Sequence, residues 1–114
     1  MQYKYLHLTP QNDILIISLD REQKRNCLNY DFLFELEHIA LSLESQTHFR
    51  TVLFTGKGAH FSAGADLNEM MNQPDLPLIE KRKRWRIGGR AVRAIRNIDQ
   101  VTVGAWQGGA IGGG

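Results

Sequence analysis

Three short runs along the chain are dense in apolar residues, and polar or turn-forming residues stop each one. Asp13 to Leu19 (DILIISL), Thr51 to Thr55 (TVLFT) and Val101 to Trp106 (VTVGAW) are predicted as strands, because branched side chains suit a pleated surface. Phe32, Leu33, Leu36, Ile39, Ala40 and Leu43 recur at helical spacing and predict a helix over Tyr30 to Glu44. Asn29 or Asp31 can cap it by accepting from an unpaired backbone N–H. A polar loop is expected over Arg21 to Arg25, and a short helical stretch near Asp66, closed by Pro74 and Pro77. A longer helix is predicted over Leu78 to Ile98, with Trp85, Gly88, Val92 and Ile95 on one stripe and Arg82, Arg86, Arg90 and Arg93 on another. Strands alternating with helices indicate an α/β fold.

Composition narrows the class. With 42% hydrophobic and 23% charged residues, the chain has the balance of a globular protein. Its longest apolar run, Ile14 to Ile17, is far too short to span a bilayer, and Met1 does not open a secretory leader pattern. The single cysteine, Cys27, excludes an internal disulfide and fits a reducing compartment, so a cytoplasmic, membrane-free protein is expected. The four histidines show no zinc spacing with one another or with Cys27, so no metal site is expected. Net charge is only +2, yet eight of the 14 basic residues fall between Glu80 and Asn97. Such a segment meets an anionic partner or stays solvated.

Two glycine-bearing loops carry the candidate chemistry, His60 to Leu67 and Gly108 to Gly114. Each follows a predicted strand, where backbone N–H groups go unpaired and small residues let a ligand approach the main chain. Converging, they would form an anion or oxyanion site from backbone alone; apart, they are tight turns. Other motifs fail on spacing: His60 stands where G-x-S-x-G needs its first glycine, and Gly58 replaces the Ser/Thr of a phosphate-binding loop.

Phe61-Ser62-Ala63-Gly64-Ala65-Asp66-Leu67 resembles the F-[SAC]-A-G-x-D-[LI] segment of the crotonase (enoyl-CoA hydratase/isomerase) family. Val101 to Gly114 resembles the family's P-[VT]-[IV]-A-A-[VI]-x-G-x-[AC]-x-G-G-G segment, and Arg25-Asn26-Cys27-Leu28 its R-N-A-L turn. Val101 departs from the usual proline and Trp106 from a small aliphatic residue. The match runs over the whole chain. The resemblance implies a crotonase-like spiral of β-β-α repeats, incomplete here, with residues 1–114 as the N-terminal part of one domain.

It also implies an acyl-CoA substrate, with coenzyme A as part of that substrate rather than a separate cofactor. The reaction implied is 2-enoyl-CoA hydration or isomerisation, and the full-length assembly a trimer or dimer of trimers. By position, the N–H groups of Ala65 and Gly113 are the oxyanion-hole donors, and Ala63, Gly64, Asp66, Leu67 and Asn68 line the substrate path. Lys24 and Arg25 are placed near the nucleotide phosphates, or are solvated loop charges. The family's catalytic glutamates fall after the triple glycine, so the 114 residues are expected to be a truncated enzyme. Asp66 is a cap or loop anchor before it is an acid or base, Glu69 is no stronger a candidate for the acyl pocket one turn on, Ser62 lacks a nearby base, and Cys27 is a small buried filler. The alternative reading is a non-catalytic module that docks on subunits or RNA through the basic helix 78–98; that helix is arginine-rich, and no RNA-recognition motif accompanies it.

Overall fold

The computed structural model describes residues 1–114. Strands β1 (Leu6–Gln11) and β2 (Ile14–Leu19) form an antiparallel hairpin in which Leu6 faces Leu19 and Gln11 faces Ile14. Its turn is closed by Asn12 at φ 56°, a conformation that asparagine tolerates better than most residues. Strands β3 (Thr51–Gly56) and β4 (Val101–Ala105) extend the sheet in parallel, giving the order β1-β2-β3-β4. The crossovers contain α1 (Tyr30–Ser42) before β3, then α2 (Leu67–Met71) and α3 (Leu78–Arg96) before β4.

Alternation decides the core. Leu15, Ile17 and Leu19 of β2 and Val52 and Phe54 of β3 point inward and meet Phe32, Leu36, Ile39 and Leu43. Asn29 caps α1, accepting from the Phe32 N–H at 2.8 Å. Buried Glu35 accepts from the amides of Lys4 and Tyr5 at 2.7 and 2.8 Å and so ties the N-terminal segment to α1. By contrast, all five residues of β4 are exposed, although parallel strands are ordinarily covered on both faces.

The structure departs from the sequence expectations in two places. β1 was not anticipated: it carries Pro10 and polar residues, and only Leu6 is buried, as suits an edge strand. On α3 the buried residues are Ile87 and Ala91, while Trp85 and Val92 are 61% and 58% exposed. Helix α3 packs mainly on one neighbour, α1, and a single helix covers a narrow i, i+4 seam rather than a broad stripe.

Candidate functional site

The site is built outward from one buried amide. After β2 the chain makes a 3-10 turn over Glu22–Lys24, then places Arg25 and Asn26 at φ 53° and 54°. Asn26 is fully buried. Its Oδ1 accepts from the Arg21 N–H at 2.8 Å, and its Nδ2 donates to the carbonyls of Lys57 at 2.9 Å and His60 at 3.0 Å. From there residues 25–28 run in parallel beside residues 63–66. The Ala63 N–H donates to the Arg25 carbonyl at 2.9 Å, Leu28 N–H to the Gly64 carbonyl at 2.7 Å, and Asp66 N–H to the Leu28 carbonyl at 3.0 Å. In a parallel bridge one residue uses both its backbone groups, and the residue opposite points its own away. Leu28 is the first and Ala65 the second. The Ala65 N–H therefore bonds to no acceptor in the chain.

The terminal glycine loop is docked on this strip. Ser62 is its anchor: its N–H donates to the Gly109 carbonyl at 3.2 Å, and its carbonyl accepts from the Ile111 N–H at 3.1 Å. The Ser62 hydroxyl, fully buried, donates to the Asn26 carbonyl at 2.8 Å and accepts from the Gly64 N–H at 3.2 Å. Those bonds, with no base among them, leave Ser62 a structural crosspoint rather than a nucleophile. The Gly109 N–H donates to His60 Nδ1 at 3.1 Å, and the Gln107 amide donates to the carbonyls of Gly56 and Gly58. A turn closed by Gly114 N–H on the Ile111 carbonyl at 2.8 Å leaves the Gly112 and Gly113 N–H groups unbonded. Gly64, at φ 86°, sits directly against this turn: a Cβ there would collide with the Ile111 carbonyl and stand 3.4 Å from Gly113 N. The two loops meet, and the unpaired amides of Ala65 and Gly113 flank the meeting place.

Beneath them lies an ion pair. Arg21 donates to Asp66 at 2.8 Å, with side chains only 13% and 12% exposed. Arg21 Nη1 also donates to the Cys27 carbonyl at 3.0 Å and lies 3.2 Å from Cys27 Sγ; half-buried Cys27 is thus a contact of this arginine as well as a filler. Asp66 uses its other oxygen to cap α2, accepting from the Glu69 N–H at 3.1 Å. Burial works against its charge, but the hydrogen bonds from Arg21 and Glu69 N–H prevail and hold the carboxyl below its ordinary range. Asp66 is a fixed anion with both oxygens engaged. Glu69 differs. Burial, helped by the charges of Asp66 and Asp31, pushes its carboxyl up against the opposing bond from Tyr30 N–H, which it accepts at 2.8 Å.

A cavity of about 660 Å³ opens beside Ala65, walled by Leu28, Leu33, Met70 and Trp85, with Glu69 and Arg84 also lining it. Among the other residues singled out from sequence, the amides of Ala63, Gly64 and Asp66 are engaged as described. The Leu67 side chain is 68% exposed, and Asn68 Oδ1 accepts from Asn72 at 2.8 Å. Lys24 and Arg25 are exposed. Sequence reasoning missed Arg21, which it read as loop, and Tyr30, whose N–H and ring border the cavity. Arg21 could not have been found by spacing, since its partner lies 45 residues away. No helix is long and apolar enough to cross a membrane.

Comparison with known proteins gives this geometry its context. The sequence pattern of the family described as enoyl-CoA hydratase/isomerase matches residues 9–114. The chain is 29% identical to a short-chain-enoyl-CoA hydratase of Clostridium acetobutylicum, covering 100% of this chain and 43% of that protein. It is 28% identical to a crotonyl-CoA hydratase of Syntrophomonas wolfei with the same coverage. A crystal structure of an enoyl-CoA hydratase from Shewanella pealeana superposes with a TM-score of 0.89 at 26% identity, covering 98% of this chain and 42% of that one. An enoyl-CoA hydratase from Bacillus anthracis gives 0.86 at 27% identity, covering 97% and 43%. The chain thus spans less than half the length of these relatives and holds an incomplete version of their fold. With its sequence pattern matched from Thr9 to the last glycine, the chain belongs to the enoyl-CoA hydratase/isomerase family, a family of enzymes.

Proposed function

We propose that this chain binds an acyl-CoA thioester with the carbonyl oxygen between the amides of Ala65 and Gly113. The observation that carries the reading is the pair of unbonded N–H groups brought together by the seating of Gly64 against Ile111 and Gly113. A thioester oxygen gains negative charge when water adds to the conjugated chain or a proton leaves its α-carbon. Donors already fixed in place stabilise that charge without reorganising, each by roughly 3–4 kcal/mol. The 25–28 strip and the Ser62 crosspoint do the fixing. The hydratase relatives support 2-enoyl-CoA hydration or isomerisation as the reaction of the whole protein. Coenzyme A enters as part of the substrate, with Lys24 and Arg25 available to its phosphates, and Asp66 to Asn68 beside its path. The proton-moving glutamates of the family belong, by the resemblance, after the triple glycine, so residues 1–114 supply binding and charge stabilisation. The same reading carries a cytoplasmic setting and a trimeric assembly for the full-length protein.

Titration of the ¹⁵N-labelled chain with crotonyl-CoA tests this. The Ala65 and Gly113 amide resonances are expected to move most, and Ala65→Pro, which removes an N–H bonded to nothing else, to weaken binding roughly tenfold or more. Absence of binding, or shifts that bypass both amides, overturns the reading.

The second reading, docking through α3, draws on the exposure of Leu78, Ile79, Trp85 and Val92. Among the basic residues of that helix, only Lys81 and Arg90 have carboxylate partners, Asp75 and Glu37. Retention on RNA that falls steeply with salt would support it; indifference to RNA and a monomeric mass would end it.

A further inference from the structure

The cavity beside Ala65 is apolar at one side and carries hydrogen-bond donors at another. Leu28, Leu33 and Met70 provide the apolar wall. The polar group is Arg84, Tyr30 and Gln73: the Arg84 guanidinium lies 5.3 Å above the Tyr30 ring, and Gln73 Nε2 donates to the Tyr30 hydroxyl at 2.6 Å. With its oxygen accepting from Gln73, the hydroxyl keeps its own hydrogen to donate.

The other charged groups lining the cavity are Lys81, Asp75 and Glu69. Lys81 is paired with Asp75 at 3.6 Å, and one Glu69 oxygen is held by the Tyr30 N–H. Arg84 is half-buried, and its ion-pair partners within 4.0 Å number none. A plain alkyl chain filling this space would cover the guanidinium and the hydroxyl without giving either an acceptor, which costs free energy. A carboxylate would satisfy both, because guanidinium offers two parallel donors that match its two oxygens.

We propose that the cavity takes an acyl chain ending in a second carboxylate, with Arg84 and the Tyr30 hydroxyl reading that end; the substrate class is the mono-CoA thioester of a dicarboxylic acid. This rests on the acyl-CoA reading above and adds the polarity of the far end of the chain. Bound to an aromatic face, the Arg84 guanidinium is held in one plane and loses less freedom on meeting the carboxylate.

Calorimetric titration of the 114-residue chain with butyryl-CoA, glutaryl-CoA and free CoA tests the proposal. Glutaryl-CoA is expected to bind about tenfold more tightly than butyryl-CoA at low salt, since a charge-assisted bidentate contact is worth at least that factor. In Arg84→Met the ratio is expected to fall to near one, and in Arg84→Lys to an intermediate value. A ratio near one in the unaltered chain overturns the proposal, as does a ratio that survives Arg84→Met. If Arg84→Met weakens free CoA and both thioesters alike, Arg84 serves coenzyme A phosphates and the proposal fails while the acyl-CoA reading stands. If neither thioester binds, the acyl-CoA reading itself is lost.

Discussion

The two glycine loops supply the amides of Ala65 and Gly113, but they are held by different means. The 57–66 segment is fixed by side chains from three directions: the Asn26 amide on the Lys57 and His60 carbonyls, the Ser62 hydroxyl within it, and the Arg21–Asp66 pair at its end. The 107–114 loop is held at one side only, by three backbone bonds exchanged with Phe61 and Ser62, by the Gly109 N–H on the His60 ring, and by the Gln107 side chain on the carbonyls of Gly56 and Gly58. Ile111 is 63% and Trp106 69% exposed, whereas Ser62 is wholly buried. The first loop is a frame and the second a guest on it. Damage to the frame should displace both amides; damage to the guest should displace one.

The sharpest way to break that asymmetry is Asn26→Ala. It strands the Arg21 N–H and the carbonyls of Lys57 and His60, and a destabilisation of roughly 3–4 kcal/mol is expected in urea unfolding. Gly64→Ala comes next at about 2–3 kcal/mol, combining a left-handed backbone with a methyl driven into the Ile111 carbonyl; it should also move the Gly113 amide resonance.

Arg21→Met is expected to cost about 2 kcal/mol near neutral pH by leaving Asp66 buried and unpaired. The sign with pH follows from Asp66: its native value lies below the ordinary one. The pair's contribution is therefore present above the unfolded value and lost as pH falls through the native one. The difference in melting temperature between Arg21→Met and the unaltered chain should shrink in acid. Glu69, held above its ordinary value, acts oppositely, its contribution being lost as pH rises, so Glu69→Gln should steepen the acid limb. Gly112→Ala is the mildest, at about 1 kcal/mol: its φ of 56° disfavours a side chain, but no atom lies within 4 Å of the added methyl.

Local pattern went a long way toward this structure, and its failures share a cause. The three parallel strands, α1 and its Asn29 cap follow from branched residues, apolar spacing and a single acceptor, all short-range properties. The α3 face could not be read this way, because Trp85 drew the stripe toward itself while the actual seam, Ile87 and Ala91, is chosen by α1. β1 was hidden by Pro10 and by having one buried residue. At the site, the glycines and the positions of Ala65 and Gly113 were visible as a resemblance. Why those two amides are unbonded was not: for Ala65 it depends on which residue of the Leu28–Ala65 bridge uses its backbone groups, and for Gly113 on the turn closed by Gly114. Arg21 carries no local signal, because its partner Asp66 lies 45 residues away; Asn26 was visible only within the R-N-A-L resemblance, since the carbonyls its side chain holds lie 31 and 34 residues away.

The Ser62 crosspoint also dictates an order of events during folding. Its bond to Asn26 closes a separation of 36 residues, and the neighbouring His60–Gly109 bond closes one of 49. Neither closure repays its entropy until β2, β3 and β4 have aligned the segments that leave them. The hairpin and α1, made of local contacts, can form while the glycine loops are still unstructured. The donor pair is then among the last features to assemble, and among the first to dissolve when the sheet loosens.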